Sequence, residues 1–226
     1  MGIKENLEEI KALLPEHVKL IAVSKTNPVE AILEAYHAGY SVFGENKVQE
    51  LCSKYEVLPK DIEWHLIGHL QTNKVKYVAP FVSLIHSVDS LRLLSAINKE
   101  GLKNNRVIDC LLQFHIATEE TKFGFDEEEA RTMLSSIEYR ELKNIRIRGV
   151  MGMATFTDDK ERVRNEFRSL HAIFASLKSD IFKDDSEFKE ISMGMSDDFL
   201  LAIEEGSTIV RVGTRIFGVR DYGMKG

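Results

Sequence analysis

The strongest constraint on the fold is a regular alternation of strand-like and helix-like segments along the 226 residues. Short apolar runs predict buried strands, and each is followed by a segment with the spacing of an amphipathic helix. The eight predicted strands span residues 20–23, 40–43, 62–67, 81–88, 107–116, 145–150, 188–192 and 208–212. Strands that alternate with helices form a parallel sheet, and eight such units allow the sheet to close. The sequence therefore predicts an α/β fold of the (β/α)8 TIM-barrel type.

An extra amphipathic helix precedes the first strand, because apolar residues recur at helical spacing between residues 3 and 14. No change of composition marks a linker, so we expect residues 1–226 to form a single domain. The alternative is an open doubly wound sheet, which usually carries a G-x-G-x-x-G turn after its first strand. Here that turn reads Ser-Lys-Thr-Asn over residues 24–27, which favours the barrel.

Charge and cysteine content narrow the class of protein. A net charge of −6 disfavours a general nucleic-acid binder, which needs a basic surface. Cys52 and Cys110 are far apart and form no disulfide framework, which favours a reducing compartment. The sequence begins without an apolar signal segment, and no run is long enough to span a bilayer. We therefore expect a cytoplasmic protein that binds neither nucleic acid nor membrane.

Lys25 lies just past the first predicted strand, and Pro28 then begins a helical segment. The carboxyl ends of the strands are where barrels of this kind place their chemistry. An amine held there can attack a carbonyl group to form an imine. The alternative is a lysine that simply ends a strand and extends its ammonium group into water. The stretch alone does not separate these two interpretations.

The loops after the seventh and eighth strands are rich in small and hydroxyl residues, over 192–197 and 211–218. In a closed barrel these loops lie beside the loop after the first strand, and they commonly hold a phosphate group. Small residues let backbone N–H groups approach an anion, and the helices that follow add a favourable dipole. Together with Lys25, the two loops predict a site for a phosphorylated aldehyde.

Four histidines are weaker candidates. His65 and His69 have the spacing of helical zinc ligands, but they flank a strand end and Gly68, so we predict no metal site. His86 and His115 lie near predicted strand ends that face the mouth of the barrel. Structural roles are the default for both, and we assign no catalytic residue.

Six stretches carry a resemblance to a known family. They are residues 22–26, 44–50, 64–74, 148–151, 192–198 and 210–218, with sequences that include AVSKT, GENKVQE, WHLIGHLQTNK and SMGMSDD. With these motifs in this order, the chain resembles the pyridoxal phosphate (PLP) homeostasis protein family and is similar to the barrel domain of alanine racemase. The matching stretches span nearly the whole chain.

The resemblance implies a PLP site and a role for individual residues. It implies Lys25 as the lysine that forms a Schiff base with PLP, Arg211 near the pyridine nitrogen and Asn46 near the oxygen substituent of the ring. It implies phosphate contacts around Ser192, Ser196, Gly213 and Thr214. It assigns no role to Lys47, Lys74 or Lys122.

The resemblance also implies a function, which is to carry and buffer PLP and to support vitamin B6 and amino-acid homeostasis without robust catalysis. PLP-dependent apoenzymes are the expected recipients, and the expected state is a monomer or weak dimer. The alternative is an amino-acid racemase, which needs acid–base groups on both faces of the cofactor. In such enzymes a second domain supplies the group opposite the lysine, and we expect that supplier to be missing because the sequence ends at Gly226. A third interpretation is a phosphate-binding module in which Lys25 forms no imine.

Overall fold

A computed structural model describes residues 2–117 and 123–218 and has a closed barrel of eight parallel strands. The strands follow one another around the barrel in chain order, and the last strand pairs with the first. They are β1 (Lys19–Val23), β2 (Val42–Glu45), β3 (Glu63–Leu66), β4 (Leu84–Val88), β5 (Ile108–Gln113), β6 (Ile145–Met151), β7 (Glu190–Ser192) and β8 (Ile209–Val212). The predicted (β/α)8 TIM barrel is confirmed.

Helices cover the outside of the barrel. They are α1 (Ile3–Ala12), α2 (Val29–His37), α3 (Val48–Val57), α4 (Val75–Val78), α5 (Leu91–Lys103), α6 (Glu127–Ser135), α7 (Ile137–Arg140), α8 (Lys160–Ser179), α9 (Phe199–Glu204) and α10 (Thr214–Phe217), with a short 3-10 turn at Thr72–Lys74. The predicted N-terminal helix is present as α1. It buries Leu7 and Ile10, and the Asn6 amide donates to the backbone oxygen of Ile216 over 2.9 Å. This contact fixes α1 against α10.

Several helix starts follow from local sequence. Asp126 caps α6 by accepting a hydrogen bond from the backbone N–H of Glu129, whose side chain accepts one from the backbone N–H of Asp126 in return. This capping box satisfies two N–H groups that the helix itself leaves unpaired. Ser90 caps α5 through a single hydrogen bond, which its side chain accepts from the N–H of Leu93.

The core has two shells. The larger lies between the barrel and the helices, and the smaller lies inside the barrel, where alternate strand residues point inward. The inner shell consists of Ile21, Leu84, Leu111, Met151 and Ile209. Glycine makes room for it on β2, because a Cβ at Gly44 would lie 2.6 Å from Cγ2 of Ile21.

The predicted strands at 40–43 and 81–88 begin too early. Tyr40 and Phe81 lie in loops, and the strands start at Val42 and Leu84. Both aromatic rings still pack against the core, so their apolar character reports burial and not extended structure. None of the helices within residues 2–117 and 123–218 is long and apolar enough to cross a bilayer.

Candidate functional site at the carboxyl ends of the strands

Lys25 is half-buried and lies two residues past the end of β1, in a tight turn. The turn is closed by a 3.0 Å hydrogen bond from the backbone N–H of Asn27 to the carbonyl of Ser24. Its next residue, Thr26, has a φ of +66°, a region that β-branched residues rarely adopt. Such a conformation costs about 1–3 kcal/mol and persists only where surrounding contacts impose it.

A buried ionic group holds Thr26 in this conformation. The Nζ of Lys54, on α3, donates to the Ser24 carbonyl over 2.8 Å and to the carboxylates of Glu45 and Glu50 over 2.7 Å each. Glu50 accepts a 2.6 Å hydrogen bond from the N–H of Thr26, and Glu45 accepts one of the same length from the Ser24 hydroxyl. We call these four residues, Ser24, Glu45, Glu50 and Lys54, the Lys54 cluster. It fixes the backbone on both sides of Lys25.

The Lys54 cluster is closed to water on its inner side. The side chain of Glu45 has no exposed surface and that of Lys54 is 6% exposed, whereas Glu50 reaches the surface. Burial raises the pKa of Glu45, and the neighbouring ammonium of Lys54 opposes this shift. The second carboxyl oxygen of Glu45 is buried without a hydrogen-bond partner in the described part of the chain. The ammonium of Lys54 is therefore the main support of this carboxylate.

The phosphate loops predicted after β7 and β8 do meet. The hydroxyl of Ser196 accepts a 3.2 Å hydrogen bond from the N–H of Gly213, and Thr214 directly follows as the first, exposed residue of α10. Gly213 also lies against the end of β1, since an added Cβ would be 3.0 Å from the carbonyl oxygen of Val23. Barrel closure thus brings these loops beside the turn that holds Lys25.

Arg211 enters the same region from β8 and is buried. Its guanidinium donates to the hydroxyl of Ser192 over 2.6 Å and to the carbonyl of Gly152 over 3.1 Å. Burial lowers the pKa of Arg211 to about 10, so the group is still cationic at neutral pH. The sequence prediction groups Ser192 with the phosphate contacts, and in the structure its hydroxyl oxygen accepts from Arg211.

Behind Ser192, the barrel interior holds two histidines. His86 on β4 lies with Nδ1 2.9 Å from the Ser192 hydroxyl and with Nε2 2.8 Å from Nδ1 of His65 on β3. The other nitrogen of His65 lies 2.8 Å from Glu63, which also accepts a 2.7 Å hydrogen bond from Lys19 at the opposite end of the barrel. Desolvation lowers the pKa of both histidines, and the hydrogen bond from His65 lowers the pKa of Glu63 to about 2.

Asn46 follows β2 directly and packs against the next loop, since a Cβ at Gly68 would lie 2.3 Å from its carbonyl oxygen. Its side-chain Oδ1 is buried and lacks a hydrogen-bond partner among the described residues. Unpaired buried polar atoms are rare, and a polar group of a bound molecule would satisfy this one. The orphaned amide oxygen fits a hydrogen-bond donor on a bound molecule, and the close approach at Gly213 and the buried cation of Arg211 fit an anionic group, so together they fit a polar, anionic molecule.

Other residues from the sequence prediction lie apart from this region. His69 is half-exposed and lies 3.3 Å from a carboxylate oxygen of Asp89, and it shares no ligand position with His65. In residues 2–117 and 123–218, no group of three or more histidine, cysteine, aspartate or glutamate side chains is placed to hold a metal ion. Lys74 lies over the ring of Tyr77 at 5.7 Å, and Lys47 is exposed at the start of α3.

Comparison with known proteins then decides the family. A sequence profile described as "Alanine racemase, N-terminal domain" matches residues 2–221. The pyridoxal phosphate homeostasis protein of Aquifex aeolicus is 45% identical over 206 residues, covering 90% of this chain and 88% of its own. That of Escherichia coli K12 is 38% identical over 215 residues, covering 93% and 89%. This chain belongs to the pyridoxal phosphate homeostasis protein family.

Solved structures agree with that membership. PipY of Synechococcus elongatus, whose structure contains bound PLP, is 36% identical and superposes with a TM-score of 0.86, over 96% of this chain and 100% of its own. An alanine racemase of Clostridium difficile superposes with a TM-score of 0.75 over 98% of this chain but only 57% of its own, at 16% identity. The racemase therefore shares the barrel, and its likeness extends to the fold alone.

The sequence analysis did not identify the buried polar residues that support the site, which are Lys54, His65 and His86. The sequence analysis assigns no role to Lys54, considers His65 only as a zinc ligand with His69, and gives His86 a structural role by default. One signal was available: Glu63 and His65, like Leu84 and His86, are two residues apart in predicted strands, so each pair shares a face. Because Leu84 faces the interior, His86 does as well. Lys122, whose role was left open, lies outside the described residues.

Proposed function

We propose that this protein binds PLP at the mouth of the barrel, covalently through Lys25, and acts as a carrier and buffer of the cofactor. The observation that carries the proposal is the convergence of Lys25, Arg211 and the Ser196–Gly213 contact at the adjoining ends of β1, β7 and β8. The PLP-bound PipY structure, with its high coverage of this chain, supports the same ligand.

Each group has a distinct part in binding. Nζ of Lys25 adds to the aldehyde carbon, water leaves, and the resulting C=N bond holds the cofactor reversibly. Ser196, Gly213 and Thr214 bind the phosphate, for which backbone N–H and hydroxyl groups are suitable donors. Arg211 would lie beside the ring nitrogen and Asn46 beside the ring oxygen, and Ser192, which the resemblance groups with the phosphate contacts, also accepts a hydrogen bond from Arg211.

Arg211 limits what the bound cofactor can do. When bound, PLP supplies an electron sink for amino-acid chemistry, and its strength depends on a proton at the ring nitrogen. A guanidinium that is still cationic at neutral pH keeps that nitrogen unprotonated. This weakens the sink without abolishing it, as suits a protein that stores a reactive aldehyde.

The relatives support a carrier over an enzyme, since those at 36–45% identity bear the name homeostasis protein. Under this proposal, apoenzymes that need PLP are the recipients, and release occurs when an amine or water replaces Lys25 at the aldehyde carbon. The free thiols of Cys52 and Cys110 fit the reducing conditions of the cytoplasm, where these recipients work.

Deuterium exchange separates the carrier from a racemase. The loaded protein is incubated with single enantiomers of alanine, serine and glutamate in deuterated water, and both Cα deuterium and the opposite enantiomer are followed. We expect no inversion at an enzymatic rate, with the variant Lys25→Ala as the background control. Inversion on the order of 1–1000 per second would overturn the carrier function.

A further inference from the structure

A continuous line of hydrogen bonds runs through the barrel from one end to the other. We call it the barrel chain; its members are Arg211, Ser192, His86, His65, Glu63 and Lys19. Successive donor–acceptor distances are 2.6, 2.9, 2.8, 2.8 and 2.7 Å. The four central members come from β7, β4 and β3, so no local sequence contact explains their alignment.

The directions of the bonds follow from the carboxylate at one end and from burial, which lowers the pKa of both histidines and so favours neutral rings. A carboxylate can only accept, so His65 donates to Glu63 from Nε2, and as a neutral ring it accepts at Nδ1. His86 then donates to His65 from Nε2 and accepts at Nδ1 from the Ser192 hydroxyl. Arginine can only donate, so the oxygen of Ser192 accepts from Arg211. Both imidazoles carry their proton on Nε2 in this arrangement.

Neutral imidazoles suit the position of His86 and His65 near the buried cation of Arg211. His65 is 1% exposed and His86 fully buried, and the charged groups that act on them are Glu63, Lys19, Glu190 and Arg211. A second positive charge on His86 would add a proton at Nδ1 and remove the acceptor that orients the Ser192 hydroxyl. Arg211 would then lose a directed partner.

We propose that His86 is a positioning residue, which holds Ser192 as the acceptor for Arg211 and so holds the guanidinium in place beside the ring nitrogen of the cofactor. The role of Arg211 toward the ring nitrogen rests on the proposed function. The protonation of the barrel chain itself does not, since its hydrogen bonds join protein groups alone.

The first test therefore uses the protein without cofactor. Side-chain ¹⁵N chemical shifts of histidine distinguish a nitrogen that carries a proton from one that does not, and the signals are assigned with His65→Gln and His86→Gln. We expect both residues to be neutral at pH 7 with the proton on Nε2. A proton on Nδ1 of His86 would contradict the proposal, whether or not the protein binds PLP.

The second test compares two substitutions of His86 in the PLP complex. Glutamine can accept from Ser192 and donate to His65, whereas leucine can do neither. We expect His86→Leu to weaken PLP binding about tenfold, as for loss of a hydrogen bond to a charged group. We also expect it to add a transition to the absorbance–pH profile between pH 6 and 9, because the ring nitrogen gains a proton. His86→Gln is expected to restore both properties to within about twofold.

Ile85→Ala is the matched control, because its side chain lies on the same strand and packs in the outer core. It is expected to lower stability without changing the absorbance–pH profile. An unchanged profile in His86→Leu, or an equal change in Ile85→Ala, would overturn the positioning role while leaving PLP binding intact. Failure of the parent protein to bind PLP would instead contradict the proposed function. The ¹⁵N chemical shifts would still show whether His65 and His86 carry their protons as the barrel chain requires.

Discussion

The two sides of the barrel mouth are supported by opposite kinds of buried polar structure. On the β1–β2 side, the Lys54 cluster brings an ammonium group and two carboxylates together around the turn of Lys25. On the β7–β8 side, the barrel chain reaches Arg211 through a serine and two neutral histidines. The first support holds backbone atoms through charged groups, and the second reaches a side chain through uncharged groups, with its ion pair of Glu63 and Lys19 at the far end of the barrel.

The difference follows from what each support must hold. The turn at Lys25 contains a residue at positive φ, and charge-assisted hydrogen bonds are strong enough to oppose the cost of that conformation. Arg211 already brings a permanent charge into the barrel, so a further charge near it would be costly in a low-dielectric interior. The uncharged Ser192 and His86 orient the guanidinium without adding one.

The largest expected effect comes from breaking the ionic side. Lys54→Met leaves the carboxylate of Glu45 buried without its main partner, and removal of one partner of a buried pair costs about 3–5 kcal/mol. We expect a fall of that size in the free energy of unfolding, measured in urea. Lys103→Met, which removes a surface ion pair with Glu100, is the control and should cost less than about 1 kcal/mol.

The double variant Glu45→Gln, Lys54→Met lacks the unpaired carboxylate charge. It should therefore recover part of the free energy of unfolding that Lys54→Met loses. Equal small effects of Lys54→Met and Lys103→Met would mean that the ionic group is not a support at all.

The two sides should respond to acid with opposite signs. The pKa values of His65 and His86 lie below their ordinary 6.5 in the folded state, so the unfolded chain takes up protons first as the pH falls. Their contribution to stability is complete well above pH 6.5 and declines below it, by at most about 1.4 kcal/mol per pH unit for each residue. Glu45 has a raised pKa, so its contribution grows as the pH falls.

Urea unfolding between pH 7 and pH 5.5 measures these slopes. His86→Gln is expected to flatten the acid-side decline by at most about 1.4 kcal/mol per pH unit, and Glu45→Gln to steepen it. If both substitutions changed the slope of the unfolding free energy against pH in the same direction, the Glu45 side and the His86 side would not differ in their response to acid.

Ligand binding sharpens the same comparison. Ser196→Ala or Thr214→Ala removes a hydrogen bond to a charged phosphate, worth about 1.5–3 kcal/mol. The affinity for PLP should therefore fall about tenfold to a hundredfold, while binding of pyridoxal, which lacks the phosphate, should barely change. Titrations that show equal losses for the two ligands would place the phosphate elsewhere.

A smaller effect is expected on the Lys25 side. Glu50→Gln weakens the hydrogen bonds to Thr26 and Lys54 by removing a charge that reaches the surface. We expect a loss of about 1 kcal/mol, or about fivefold in affinity. Because this turn positions the amine and not the phosphate, PLP and pyridoxal should lose equally. A loss confined to PLP would contradict the division of roles between the two sides.

Sequence patterns predict the barrel because its strands are short apolar runs that alternate regularly with amphipathic helical segments, and both patterns arise from local structure. The meeting of the β7 and β8 loops also follows, since closure brings the ends of β1, β7 and β8 together. The strand limits at Tyr40 and Phe81 were wrong because an apolar side chain marks burial in a loop as well as in a strand.

The supports behind the site could not be predicted in this way. The contact between His86 and Ser192 joins positions 106 residues apart, and its existence depends on the register of the whole barrel. Lys54 has the composition of a surface helix residue, and only the packing of α3 against β2 shows that it is buried. The two-residue spacing along a strand shows which face of the strand His65 and His86 share with their neighbours, but it does not show which residue of another strand each one contacts.

The central claim is that Lys25 holds PLP, and reductive trapping tests it most directly. Borohydride converts the C=N bond between lysine and PLP into a stable amine, and peptide mass spectrometry then locates the added mass. We expect the modification on the peptide that contains Lys25, with none on that peptide in Lys25→Arg. A modification located mainly at Lys47, Lys74 or Lys122 of the parent protein would contradict the account.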